Sequence, residues 1–338
     1  MKFALVTADL SHKTSFKINY EHGDCTSFMN WVGILDGIHL SYYGLREEDN
    51  SYLKDFDVVM MSGNNGNYND IARISKLLKD SDCVSMFYPE GSLQLHESWI
   101  GNLNSEYFEA MRSCDIVSIA EEDKASYYRS FLGPETLVRF IHVPTTPQMD
   151  QGTYFMPRKY KQNYVVVYGD NNPNHPAVAM ACANRLKLPV FGVAVDTGKA
   201  PVIKRIFPDM SMTTMGKLSQ LEFLRLLGFS IIHFYPTEWI GTARQQIACA
   251  AVGTPCIGNH DSHTQRRLYP PSLAHDIYDV DGMCDSAVRL LKDESAYNHV
   301  ASQALRLMKF YSLENTKQRF MAAVEEARAA KKKATVTT

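Results

Sequence analysis

Residues Met215 to Gly258 read MGKLSQLEFLRLLGFSIIHFYPTEWIGTARQQIACAAVGTPCIG, and this stretch decides the fold. A strand-like run, Ser211 to Thr214, leads to Gly216, and an amphipathic helical segment follows it. Next come the apolar strand Ser230 to Tyr235, a polar corner at Pro236-Thr237-Glu238 and a second helix over Ala243 to Val252. Gly253-Thr254-Pro255 then opens another buried strand, Pro255 to Gly258. Strands that alternate with helices build a parallel sheet with crossover connections. Such sheets bind ligands at the carboxyl ends of their strands. The residues that follow each strand here are therefore the first candidates for a site.

Working outward, the same alternation runs through the chain. Upstream in the second half lie strand Tyr164 to Tyr168, helix His175 to Lys187 and strand Pro189 to Val193. Downstream, a last strand is expected at about Asp276 to Val280, with helices from Met283 to Ala330. The first half shows strands at Phe3 to Thr7, Asp57 to Met61, Cys83 to Tyr88, Asp115 to Ile119 and Val138 to Val143, with a helix at Glu106 to Ser113. Residues 145 to 163 are polar and aperiodic and read as a linker. The basic, Thr-rich end, Lys331 to Thr338, is expected to fray as a flexible tail.

Composition excludes several classes. The 338 residues suffice for two ordinary domains, and 45% hydrophobic content fits a globular chain. A net charge of −2 gives no global attraction to nucleic acid or anionic lipid. The seven cysteines stand singly without a CxxC pair, as expected of buried thiols in a reducing cytosol. No signal stretch opens the chain, and no run reaches the ~18 apolar residues of a membrane span. The expectation is a soluble, cytoplasmic protein.

The order and spacing of the quoted stretch resemble the donor-binding half of GT-B glycosyltransferases, above all the retaining nucleotide-sugar group (family 4-like). There a Gly precedes a Pro-Ser-x-x-Glu corner by about twenty positions, and Gly-Thr-Pro follows the next helix. Here Gly216 to Pro236 is twenty residues and Pro236 to Gly253 is seventeen. The resemblance implies an α/β chain of two Rossmann-like, doubly wound domains facing across a cleft. Residues 1–150 would form the acceptor domain and 160–315 the donor domain, with a C-terminal helix at 312–330 crossing back.

It further implies a transferase that moves sugar from a nucleotide-sugar donor, a UDP-sugar, to a hydroxyl acceptor. The reaction would retain configuration and need neither metal nor other cofactor. The acceptor would be a small molecule, a glycan or hydroxymethylated DNA of the kind modified by bacteriophage glucosyltransferases.

Site residues follow from the same comparison. Gly216 and Lys217 would offer backbone to the base edge, although a turn glycine ending a strand explains the same residue. Thr237 stands at the next strand end, and Gly241 and Thr242 open a helix whose N–H groups suit a diphosphate, or simply carry an N-cap. Arg244 and Arg266 would supply charge, and Gln246 would bind a ribose hydroxyl. Catalytic roles fall to Glu238, His260 and Asp9, and acceptor contacts to His12, Asn64, Asn65 and Glu90.

Two departures stand out. The family's two Glu, separated by seven intervening residues, fall on Ile240 and Ala248 when counted back from Gly253 without gaps, and a shift to Glu238 puts its partner at Gln246, so at most one carboxylate survives. The loop after Tyr168 also lacks the usual basic residues. His260, Asp261 and His263 sit too close together on one loop for a closed metal site, and Asp279-Val280-Asp281 reads as a helix cap, with Asp281 capping. Two alternatives share the architecture: a sugar-nucleotide epimerase, whose set of cleft carboxylates and a His has no counterpart placed here, and an inactive binding module, which the loss of the paired Glu motivates. Release of nucleoside diphosphate separates a transferase from a module.

Overall fold

The computed structural model describes residues 1–7, 29–46, 49–63, 67–89, 105–133, 136–169, 176–195, 200–216, 218–237 and 244–337. The chain divides into two compact units. One is built from the described residues as far as Thr145 together with Leu313–Thr338, and the other is Thr146–Ser312.

The first unit runs β1 (Phe3–Thr7), α1 (Met29–Leu35), β2 (Ile38–Ser41), α2 (Tyr42–Leu45), β3 (Val58–Gly63) and α3 (Tyr68–Leu78). It continues with β4 (Val84–Pro89), α4 (Ser105–Ser113), β5 (Ile116–Ile119), α5 (Ala125–Leu132) and β6 (Leu137–Phe140). The second unit runs α6 (Pro147–Asp150), β7 (Gln162–Tyr168), α7 (Pro176–Arg185), β8 (Val190–Val193), α8 (Ala200–Ile206) and β9 (Met212–Met215). It continues with α9 (Gln220–Phe229), β10 (Ser230–Tyr235), α10 (Arg244–Val252), β11 (Cys256–Asn259), α11 (His263–Leu268), β12 (Ala274–His275), α12 (Val280–Lys292) and α13 (Glu294–Met308). The last helix, α14 (Leu313–Thr337), belongs to the first unit.

Among the described residues each sheet has six strands, and every pairing is parallel. The orders are β2-β1-β3-β4-β5-β6 and β12-β11-β10-β7-β8-β9. Each order reverses once, between β1 and β3 in the first sheet and between β7 and β10 in the second. Central strands are buried on both faces, so they read as mostly apolar runs without polar alternation: every residue of β1, β3, β4 and β10 is buried. A one-residue register shift separates the pairs Ser230↔Gln162 and Ile232↔Val165, so the β7/β10 switch carries a bulge.

Helix α14 covers one face of the first sheet. Its Phe320 packs on Trp31 and Phe3 with ring centroids 4.9 and 5.9 Å apart, and Ala323, Val324 and Ala327 are buried beside them. The helix also continues past Lys331, where the sequence suggests a flexible tail. Lys331 Nζ donates to Leu78 O (3.0 Å) and Cys83 O (2.8 Å), and Arg328 donates to Asp57. These basic side chains meet the amino edge of the sheet and the carbonyl end of α3, where cations are favoured.

Two further expectations change and one is refined. The segment expected as a linker, 145 to 163, starts at the division between the units and then packs on the second. Met156 N donates to Val252 O (3.0 Å), and Lys161 and Arg158 reach back to other backbone carbonyls of the second unit. The last strand is Ala274–His275 rather than Asp276 to Val280, because Asp276 accepts from Tyr278 N (2.9 Å) and turns the chain. Asp279, not Asp281, caps α12 by accepting from Gly282 N (2.8 Å), while Asp281 pairs with Arg185. Strand β2 has only four residues at a sheet edge, too short to stand out from its sequence.

Candidate functional site at the carboxyl edge of the second sheet

A doubly wound sheet opens a crevice where its strand order reverses, outside the carboxyl ends. In the second unit those ends are Tyr168-Gly169 after β7 and Pro236-Thr237 after β10. The backbone there is tight. Gly169 N donates to Val193 O (2.9 Å), and a Cβ on Gly169 would lie 2.5 Å from Val195 Cγ2. Ala194, next to β8, holds a left-handed φ of 52°, uncommon for a residue with a side chain, and donates to Met215 O (3.1 Å). Gly216 follows β9, is exposed, and has nothing within 4 Å of where a Cβ would stand.

Thr237 is 2% exposed; its N–H donates to Tyr235 O (3.0 Å) and its carbonyl accepts from Asn259 Nδ2 (2.9 Å). Arg244 opens α10 on the same edge and is exposed. His260 and Asp261 follow β11, both exposed, with imidazole Nε2 3.3 Å from the carboxylate. Arg266 is exposed and donates to His260 O (2.7 Å), which braces the turn. These residues do share one sheet edge. Gln246 differs from its expected role: it is 0% exposed and its amide is spent on Ser262 and Gln265, so it braces the edge from inside. Lys217, Glu238, Gly241, Thr242, Asp9, His12, Asn64, Asn65 and Glu90 lie outside the described residues.

Gly253-Thr254-Pro255 lies at the opposite, amino edge of the sheet. Gly253 has φ +69°, closing α10, and a Cβ there would meet the Phe155 ring at 2.7 Å. Thr254 Oγ1 donates to Leu227 O (2.7 Å) and accepts from Lys161 Nζ (2.7 Å). This motif carries the fold, not the ligand.

The sequence reading passed over several buried polar residues. His233 on β10 is buried, and burial pushes its imidazole down to about 4, against the partial support of Gln245. Its Nε2 lies 3.0 Å from Gln245 Oε1; since an amide oxygen only accepts, that nitrogen carries the proton. In the first unit His39 Nε2 meets Thr7 Oγ1 at 2.8 Å, at the end of β1 beside the other switch point. No spacing rule finds such residues, since each is a single polar side chain in an apolar strand.

One arrangement mimics a hydrolase. Ser286 Oγ lies 3.0 Å from His275 Nε2, and His275 Nδ1 lies 3.3 Å from Asp279 Oδ2. Ser286 is 2% exposed and also accepts from Arg289 (3.0 Å), so no substrate reaches it. The trio ties the start of α12 to β12. Among the described residues no His, Cys, Asp and Glu group of three gathers to hold a metal, and no helix is long and apolar enough to cross a membrane.

No family model and no curated protein matches this sequence. Solved structures do share its fold. An alpha-glucosyltransferase in complex with UDP and a 13-mer DNA containing a HMU base aligns over 96% of this chain and 99% of its own, with TM-score 0.65 and 9% identity. HepE of Anabaena, with UDP and glucose, aligns over 96% and 99%, with TM-score 0.66 and 9% identity. Sucrose-phosphate synthase of Thermosynechococcus elongatus aligns over 97% and 99%, with TM-score 0.65 and 12% identity. At full length and in both units, the chain has the fold of the GT-B glycosyltransferases.

Proposed function

We propose that this protein is a glycosyltransferase that binds a nucleotide-sugar donor, a UDP-sugar, on the carboxyl edge of its second unit and passes the sugar to a hydroxyl acceptor. One observation supports the reading: the strand order reverses between β7 and β10, whose carboxyl ends carry Gly169 and Thr237, and the open Gly216 follows β9 along the same edge. Neighbouring strands stand ~4.8 Å apart, so β9 and β10, three spacings apart, are separated by ~14 Å. That distance suits an extended nucleoside diphosphate, with its base near Gly216 and its phosphates near the start of α10. Helix α10 starts at this edge, where the dipole of a helix favours an anion, and the exposed Arg244 adds charge. The UDP held by the alpha-glucosyltransferase and by HepE supports the same choice of ligand.

Transfer with retention would use little base chemistry, the leaving phosphate assisting the acceptor. Glu238 would bind sugar or ribose hydroxyls, with His260 and Asp9 as further polar groups at the reacting sugar. Diphosphate charge would be met by the helix and by Arg244 and Arg266, without a divalent metal. Incubation with UDP-glucose and release of UDP, with and without a chelator, test both parts. A protein that binds UDP yet never releases it from UDP-sugars is a module instead.

Modified DNA is the acceptor favoured by a specific observation. Two of the aligned alpha-glucosyltransferase structures hold DNA, one with an HMU base and one with an abasic site, at 96% and 95% coverage of this chain. A duplex with hydroxymethylated pyrimidines should take up labelled glucose, whereas the unmodified duplex should not.

A further inference from the structure

The carboxyl edge of the second sheet is braced by a chain of buried amides. Asn259, 4% exposed, ends β11; its Nδ2 donates to Thr237 O (2.9 Å) and its Oδ1 accepts from Asp261 N (2.9 Å). One side chain thereby ties the turn after β10 to the turn after β11. Below it Ser262 Oγ donates to Gln246 Oε1 (3.3 Å), Gln246 Nε2 donates to Gln265 Oε1 (3.1 Å), and Gln265 N donates to Ser262 Oγ (3.3 Å). These bonds close a ring of three residues.

The ring has one direction only. Gln265 Nε2 donates to Cys256 O (3.0 Å) and Leu273 O (2.9 Å), so a flipped amide would set oxygen against two carbonyls. That orientation makes Gln246 offer its nitrogen to Gln265 and its oxygen to Ser262. Gly258 permits the seat, because a Cβ there would stand 2.7 Å from Gln265 Oε1 and 3.2 Å from Tyr235 O. Apolar side chains of the same volume would hold a sheet without the desolvation of so many polar groups. What a fully paired polar chain adds is a single fixed arrangement of the backbone it touches.

That backbone is the proposed donor site. Thr237 follows β10, Gln246 lies in the first turn of α10, and Asp261 and Ser262 follow β11. We infer that Asn259, Gln246, Gln265 and Ser262 are positioning residues that set the carboxyl-edge turns for a nucleoside diphosphate, an inference that rests on the donor reading above.

The test compares Asn259→Asp and Gln246→Leu with Tyr297→Phe, a control whose lost hydroxyl bonds Ile231 O (2.6 Å) elsewhere in the same unit. Asn259→Asp keeps the acceptor for Asp261 N but turns an oxygen toward Thr237 O. UDP affinity by calorimetry, UDP release from UDP-glucose and melting temperature are read for each. The expected result is UDP affinity at least tenfold weaker in both network variants and unchanged in Tyr297→Phe, although all three melt lower. Should either network variant not fold, Ser262→Ala, which removes one hydroxyl of the ring, is read in its place. UDP affinity within twofold of wild type in the network variants, or an equal loss in Tyr297→Phe, overturns the inference and leaves the donor reading standing. Failure of the wild-type protein to bind UDP overturns the donor reading and this inference with it.

Discussion

Replacing Lys161 by Met removes an ammonium while keeping most of its stem, and its cost can be worked from three contacts. Lys161 Nζ donates to Gly228 O (2.7 Å), Val252 O (3.1 Å) and Thr254 Oγ1 (2.7 Å). Two of these are carbonyls in the last turns of α9 and α10, which have no partner within their helices. Hydrogen bonds to a charged group contribute ~1.5–3 kcal/mol each, so the gross loss is several kcal/mol. Two effects reduce it. Val252 O keeps its bond from Met156 N, and Thr254 Oγ1 still donates to Leu227 O. Burial also pushes the Lys161 amine down to about 7, so the ammonium carries a desolvation cost that Met does not. The orphaned Gly228 carbonyl decides the sign, and Lys161→Met should lose ~2–3 kcal/mol, or roughly 4–12 °C in melting temperature. Urea unfolding at pH 6 is the assay. Because the native pKa lies below the unfolded one, the wild type gains stability from about pH 7 toward 10, and the variant should lack that rise. A variant as stable as wild type at pH 6 would refute the reasoning, because the ammonium would then repay no more than its own burial.

Other expectations follow from single residues. Gly253→Ala forces a side chain into a φ of +69° and against Phe155, so it should cost ~2–4 kcal/mol by chemical denaturation. His233, held near 4 against an ordinary 6.5, contributes stability that is complete above pH 6.5 and lost as pH falls toward 4. Acid unfolding followed by circular dichroism should therefore lose about 3 kcal/mol of stability over that window, and His233→Gln should flatten it. Glu238→Gln should slow transfer from UDP-glucose by roughly ten- to a hundredfold, the loss of one charge-assisted contact, with melting unchanged.

Much of the fold was legible because central parallel strands are short, mostly apolar runs between helices. Ser230 to Tyr235 was read with its observed ends, and most other strands within one or two residues. The edge strand Ile38–Ser41 escaped because only a few residues distinguish it from a loop. Polar stretches were harder. Residues 146–163 carry no period because they are pinned by individual side chains such as Lys161 and Arg158. The Gly-Thr-Pro motif belongs to the far edge of the sheet, where its glycine serves a left-handed cap. Spacing fixed register along the chain, but only the strand order tells which end of a strand faces a ligand. Asn259 and Gln265 were invisible for another reason: their importance lies in the direction of amide hydrogen bonds across three elements.

The central claim, a nucleotide-sugar site on the carboxyl edge of the second unit, is tested most directly by UDP titration of wild type and Gly216→Trp. Gly216 is exposed with open space around it, so the bulky residue should fold normally while filling the place assigned to the base. The account predicts measurable UDP binding by wild type and at least a tenfold weaker affinity in the variant at equal melting temperature. Equal affinity in the two proteins, or no binding by wild type, would contradict it.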